Sequence, residues 1–322
     1  NFGNELFALA KKNNVTLAFE ASVAGGIPIL KSIREGLAGN KIEWVAGIIN
    51  GTTNFILSEM QEKGVTFAKA LSEAQSLGYA EADPTFDIEG IDAAHKLTIL
   101  AGLSFGIPMN FKDVYVEGIK ALEQKDIQYA EELGYRIKLL GIAKSRDKGI
   151  ELRVHPTLIP EKRLIANVNG AMNAIVVKGN MVGPTLYYGA GAGALPTASA
   201  VVADLIDISR SSHVPPHGFE DNKINSIPIY KIEDAISGYY LRIRVSDKPG
   251  VLAEITKLFG DKKISIDAML QKESKEHESE ADIVILSHLA VEKDINTVIL
   301  AIESLSATIG KVIKIRLEEL SK

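Results

Sequence analysis

From residue 239 onward the apolar period alternates between that of a strand and that of a helix, and the order of the alternation admits few folds. Residues 239–246 put Leu241, Ile243 and Val245 on one side and Arg242 and Arg244 on the other, as in a strand with one buried face. The turn DKPG, Asp247 to Gly250, opens a segment in which Val251, Ile255, Leu258 and Phe259 form a helical stripe. Strands are expected at 264–271 and 281–289, joined by the charged loop KESKEHESE. A helix at 295–305 and a strand at 311–317 complete the series. The order βαββαβ predicts a ferredoxin-like arrangement.

Upstream, residues 213–237 read HVPPHGFEDNKINSIPIYKIEDAIS, with three prolines and no sustained period, and are expected to be a linker. Before it, strands are expected at 16–20, 42–49, 135–143, 151–159, 165–169 and 174–179, and a further short one at 186–188. Helices are expected at 27–35, 57–63, 67–77, 88–103, 126–133 and 196–210. Strands that cluster late in the segment predict an α+β sheet rather than a long doubly wound one. Acidic residues outnumber basic ones by 41 to 36, which argues against a basic face for nucleic acid or an anionic membrane. The absence of cysteine excludes disulfides, thiolate metal sites and cysteine nucleophiles. It fits a cytoplasmic setting.

The densest constellation is GYAEADPTFDIEGIDAAHK, where Glu81, Asp83, Asp87, Glu89 and Asp92 precede Lys96. Asp92 and Lys96 lie four apart and share a helix face, while Pro84 lets the preceding loop fold back. A lysine ringed by carboxylates can act as a general acid, and the surplus negative charge suits a substrate ammonium. The same residues also fit a solvated helix start with acids near the positive end of the dipole, and spacing alone does not choose. YYGAGAGALPTAS contains a G-x-G-x-x-A pattern at Gly189, Gly191 and Ala194 before a helix. No βαβ unit follows, so it reads as a backbone wall against one part of a cofactor rather than a full dinucleotide site. FEASVAGGIPIL and AGIINGTTNFIL each carry small residues between an apolar run and a helix, with room for a ligand or for tight packing. Carbonyls in the first could bind a hard monovalent cation. Gly250, beside a helix start, offers amides to a carboxylate or is an ordinary turn. Trp44 is expected in the core.

FEASVAGGIPIL, GIINGTTNFIL, GYAEADPTFDIEGIDAAHKLTILA and YYGAGAGALPTASAVVADL stand here in the order they have in homoserine dehydrogenases, and the chain resembles that family over essentially its whole length. The tail, with YLRIRVSDKPGVLAEI, resembles an ACT domain, an amino-acid-sensing module. The resemblance implies an α+β fold: a substrate and dimerisation domain at 1–212, with remnants of a nucleotide-binding domain at 1–20 and 186–212, then the linker, then an ACT domain at 238–322. It implies NAD(P)-dependent interconversion of L-aspartate 4-semialdehyde and L-homoserine, on the route to threonine, methionine and isoleucine. Lys96 would be the acid–base residue, with Glu81, Asp87 and Asp92 holding substrate. Backbone carbonyls of Glu20, Val23, Gly25 and Ile27 would bind a monovalent cation, sodium, and Gly193 would lie against NAD(P)H. Threonine is the expected effector near Asp247 and Gly250, and a homodimer or higher homo-oligomer the expected assembly.

The family begins with a Rossmann unit and a lysine-containing segment just before a stretch like NFGNELFALA, where this sequence starts at Asn1. The expectation is a chain that lacks most of that unit, binds NAD(P)H poorly and turns over little. The alternative is a non-catalytic amino-acid-binding and dimerisation module.

Overall fold

The apolar runs of both parts of the chain pair into one sheet. The computed structural model describes residues 2–210, 218, 227–272 and 279–320. Its strands are β1 Ile42–Ile48, β2 Tyr115–Val116, β3 Tyr135–Arg146, β4 Gly149–Pro160, β5 Met172–Gly179, β6 Gly183–Ala190, β7 Ile236–Ser246, β8 Ile266–Gln271, β9 Glu280–Val291 and β10 Ile313–Leu317. They lie in the order β6-β5-β1-β3-β4-β10-β7-β9-β8, with β2 paired to β4. The helices are α1 Gly3–Lys12, α2 Ile29–Lys31, α3 Gly51–Lys63, α4 Phe67–Ser76, α5 Thr85–Ile88, α6 Ile91–Phe105, α7 Gln124–Glu132, α8 Ala194–Ser209, α9 Val251–Asp261 and α10 Glu292–Glu303.

The ferredoxin-like unit is present as β7-α9-β8-β9-α10-β10. Tyr239, Leu241, Ile243 and Val245 of β7 pack on Val251, Ile255 and Phe259 of α9 and on Ile295, Val298 and Ile302 of α10. The other face of these strands is also covered. Tyr240, Val284, Leu286 and Ile315 belong to the large core that holds Ile127 and Ala130 of α7. Strand β10 runs parallel to β4, Arg316 opposite Thr157 and Leu317 opposite Leu158, so the sheet passes unbroken from one part to the other. Upstream, β1 is buried on both faces. Val45 joins the large core with Phe55, Ile56 and Leu97, and Trp44, Ala46 and Ile48 join a smaller one with Leu140 and Ile142. The α+β reading and the core position of Trp44 are borne out.

Several expected elements differ. Residues 16–19 are not a strand, and Glu20–Ser22 is a 3-10 turn. The amides here go to local or side-chain acceptors, Ser22 N–H to Phe19 O and Glu20 N–H to Asp204, rather than to a neighbouring strand. Leu164–Asn167 is likewise 3-10, which lays Ile165, Ala166 and Val168 over the second face of β1 and β3. The helix expected over 88–103 is α6, which starts only at Ile91 because Gly90 adopts φ 79° between it and the short α5. The helix expected at 27–35 is α2 followed by a π turn, Ser32–Gly36. Of the expected linker, residues 213–217 and 219–226 lie outside the described residues, as do 273–278 of the charged loop, and β7 already begins at Ile236.

Buried ionic groups hold the junction. Glu318, just past β10, pairs with Lys144 of β3 and Arg153 of β4. Arg316 of β10 donates to Glu292 at 2.6 Å and to Glu117 at 2.8 Å. Burial alone would raise the Glu318 carboxyl, but the Arg153 and Lys144 charges overcome it and hold it down at about 2. Burial pushes the Lys144 ammonium below its ordinary value, the opposite of what its pair with Glu318 would do alone.

A carboxylate held low contributes stability that is complete above its unfolded value and is lost as pH falls through the folded one. Glu318→Gln is therefore expected to be less stable than the parent at neutral pH. By denaturant titration at several pH values, the gap should narrow by about 3 kcal/mol between about pH 5 and pH 2. A gap constant with pH would show that Glu318 is not ionised in the fold.

Candidate active site

Strand β1 ends at Ile48, and two residues later Asn50 starts helix α3. Its backbone is extended, φ −129° and ψ 113°, and its side-chain oxygen accepts from Thr53 N–H at 2.8 Å, an N-cap. The amide nitrogen of the same side chain donates to Asp87 Oδ1 at 2.7 Å and to Asp92 Oδ2 at 2.8 Å. Asp92 Oδ2 also accepts from Lys96 Nζ at 2.7 Å, and Lys96 donates again to the Ile49 carbonyl at 3.2 Å. The end of β1 and the starts of α3, α5 and α6 thus converge on one lysine. Lys96 and Asp92 are 23% and 21% exposed, open enough to meet a small ligand.

The structure joins three of the four residues expected around the substrate: Lys96, Asp87 and Asp92. The Glu81 side chain is exposed on the loop before α5. That loop is tied down by Thr52 Oγ1 donating to Tyr79 O at 2.6 Å and by Gln75 Nε2 donating to Glu81 O at 3.1 Å. Asp83 accepts from Thr85 N–H at 3.1 Å in a turn that starts α5, and those Thr85 bonds hold its carboxyl below the ordinary value. His95, next to Lys96 in sequence, faces elsewhere. It lies between Phe86 and Phe111, with ring centroids 5.8 and 4.2 Å away, and burial lowers its imidazole.

The residues expected to hold a cation form a tight turn. Ala24 and Gly25 both have positive φ, 53° and 21°. A Cβ on Gly25 would stand 2.7 Å from the Gly191 carbonyl, so only glycine lets this turn approach the glycine-rich segment. Gly26 N–H donates to Ala190 O at 3.0 Å, which fixes the two segments together. The buried Glu20 carboxylate accepts from Leu30 and Lys31 N–H at 2.9 and 2.8 Å, and burial raises it despite those bonds. Its side chain is thus committed to α2, so main-chain carbonyls are the oxygens this turn has to offer. That of Ile27 accepts from Ile29 N–H at 2.7 Å. Gly193, φ 117°, precedes α8 and is exposed. Asp247 and Gly250 are exposed at the start of α9, where Asp247 N–H donates to Ser279 O at 2.8 Å.

Sequence reasoning missed Asn50 and the Ile49 carbonyl. The local signal for Asn50 was an asparagine where an apolar strand meets Gly-Thr-Thr, a capping position. Its two carboxylate partners are distant in sequence.

A family model described as homoserine dehydrogenase matches residues 28–206, and one described as ACT domain matches residues 239–307. The homoserine dehydrogenase of Neisseria gonorrhoeae is 58% identical over 325 residues, covering 99% of this chain and 74% of that protein. The crystal structure of a homoserine dehydrogenase from Thiobacillus denitrificans is similar with a TM-score of 0.93 and 60% identity, covering 99% of this chain and 74% of that one. A hyperthermophilic archaeal homoserine dehydrogenase in complex with NADPH is similar with a TM-score of 0.57 and 32% identity, over 66% of this chain and 61% of that one. The first two matches take in 99% of this chain and about three quarters of each relative's own length.

Proposed function

The chain belongs to the homoserine dehydrogenase family and carries an ACT domain, and from that premise we propose that Lys96 is its acid–base residue, with Asp92 orienting it. The family interconverts L-aspartate 4-semialdehyde and L-homoserine with NAD(P), and the alternative of a non-catalytic sensing module falls with that membership. Bound nicotinamide supplies or takes the hydride. What remains for the protein is a proton at the substrate oxygen. An ammonium has three N–H donors; Lys96 spends one on Asp92 and one on the Ile49 carbonyl, leaving a third for that oxygen. In reduction it protonates the aldehyde oxygen; in oxidation the neutral amine takes the hydroxyl proton. This bonded lysine is the observation that carries the reading. Asp87 receives the substrate ammonium beside Lys96, and Glu81, exposed on the loop before α5, closes on the bound substrate from that loop.

Gly193 lies against NAD(P)H, where the exposed amides at the start of α8 favour an anionic group. Sodium is held by the carbonyls of Glu20, Val23, Gly25 and Ile27, oxygen ligands suited to a hard ion. Threonine binds near Asp247 and Gly250, and the enzyme works as a homodimer on the route to threonine, methionine and isoleucine. A cytoplasmic setting fits the absence of cysteine. No helix among the described residues is long and apolar enough to cross a membrane. A physical link supports control from the ACT domain. Arg316 of β10 bonds Glu117, and two residues on, Ile119 N–H donates to the Ile88 carbonyl at 2.9 Å, next to Asp87.

The test is NAD(P)H formation from L-homoserine by the complete gene product. Turnover is expected in sodium buffer, lower turnover when an organic cation replaces sodium, and roughly tenfold weaker substrate use with saturating L-threonine. No homoserine-dependent NAD(P)H under any of these conditions would contradict the reading.

A further inference from the structure

Asn50 occupies a position that a helix cap alone does not explain. It is 4% exposed, and every hydrogen-bonding direction of its side-chain amide is used. The oxygen accepts from Thr53 N–H and Thr53 Oγ1, both at 2.8 Å. The nitrogen donates to Asp87 and Asp92. The Thr53 amide can only donate, so it fixes which end of the amide is oxygen. A flipped side chain would set that oxygen against two carboxylates. The one NH2 group therefore lies between two acids from different helices, α5 and α6, that would otherwise face each other with like charge.

We propose that Asn50 is a positioning residue for the reaction, a neutral clamp that spaces Asp87 and Asp92 and, through Asp92, aims the Lys96 ammonium. The inference rests on the acid–base reading of Lys96. It adds that the geometry of the carboxylate pair is set by an amide donor outside the acidic motif, reaching from the end of β1. Any residue that caps α3 would keep the fold; only a side chain with two N–H donors on one atom keeps the clamp.

Serine and aspartate are both good N-caps, so Asn50→Ser and Asn50→Asp separate the two roles. Asn50→Ser is expected to fold with a near-parental melting midpoint, and Asn50→Asp to fold with a lower one, because it buries a third negative charge. Misplacement of reacting groups by about 1 Å can cost about 10²-fold, and Asn50→Ser is expected to lose turnover of that order. KM for homoserine should rise while KM for NAD(P) stays unchanged. Asn50→Asp sets a third carboxylate against Asp87 and Asp92 and is expected to be the slower of the two. Lys96→Ala is measured alongside. If Lys96→Ala is inactive while both Asn50 variants match the parent in kcat and homoserine KM, the clamp is overturned and the acid–base reading stands. If Lys96→Ala retains parental turnover, the acid–base reading falls and takes the clamp with it. Should one Asn50 variant fail to fold, the other carries the same comparison.

Discussion

Asp126→Ala is expected to lower the unfolding free energy by about 3–5 kcal/mol, the usual cost of removing one partner from a buried charge pair. Asp126 is 0% exposed on α7. It accepts from Arg242 Nε at 2.6 Å, Arg242 Nη2 at 3.1 Å, the Tyr240 hydroxyl at 3.0 Å and, in its own capping box, Glu123 N–H at 2.9 Å. Arg242 and Tyr240 lie on β7 in the ACT domain, so one carboxylate satisfies donors from both parts of the chain. Burial, then the charge of Asp126, raises the Tyr240 phenol far above its ordinary value and keeps it a donor. Without Asp126, the Arg242 guanidinium is left in a nearly closed site with Glu123 on its rim. Truncating both partners, as Asp126→Ala with Arg242→Met, should recover part of the loss, because an absent pair costs less than a broken one. Denaturant unfolding of the three variants checks this. A change under about 1 kcal/mol for Asp126→Ala would mean that water reaches Arg242 and that the two parts are less tightly joined than the geometry implies.

How much of this was readable from the residues depended on the range of the interaction. The ferredoxin-like unit was legible because β7 alternates cleanly, and Leu241, Ile243 and Val245 meet the helices as their period demands. Its joining to β4 was not legible. Arg316 and Leu317 pair with Thr157 and Leu158, and nothing local marks those partners. Residues 16–20 have strand-like composition, yet no neighbouring strand pairs with them among the described residues, Glu20 N–H going instead to the Asp204 side chain, and a strand needs a ladder. In the cluster, Asp92 and Lys96 were legible from helical spacing, while Asp87 needed the family motif. Asn50 escaped both routes, since its role appears only when α5 and α6 fold back over the end of β1.

Lys96→Ala is expected to reduce turnover by about 10²–10⁴-fold, the range typical of a lost general acid–base. Lys96→Arg serves as its control. Arginine keeps the positive charge beside Asp92 but does not release its proton in proteins. If the lysine acted only as a fixed charge, arginine would restore much of the rate. If it moves a proton, arginine should fail almost as badly as alanine. Neither change touches the Asn50 amide, so melting midpoints should stay near the parent, and the loss should fall on kcat more than on homoserine KM. The most direct measurement is the single-turnover rate of homoserine oxidation in the parent, Lys96→Ala and Lys96→Arg, each shown to be folded. The predicted result is a loss of about 10²-fold or more in both variants. Parental rates in Lys96→Ala, or full recovery in Lys96→Arg, would contradict proton transfer by Lys96.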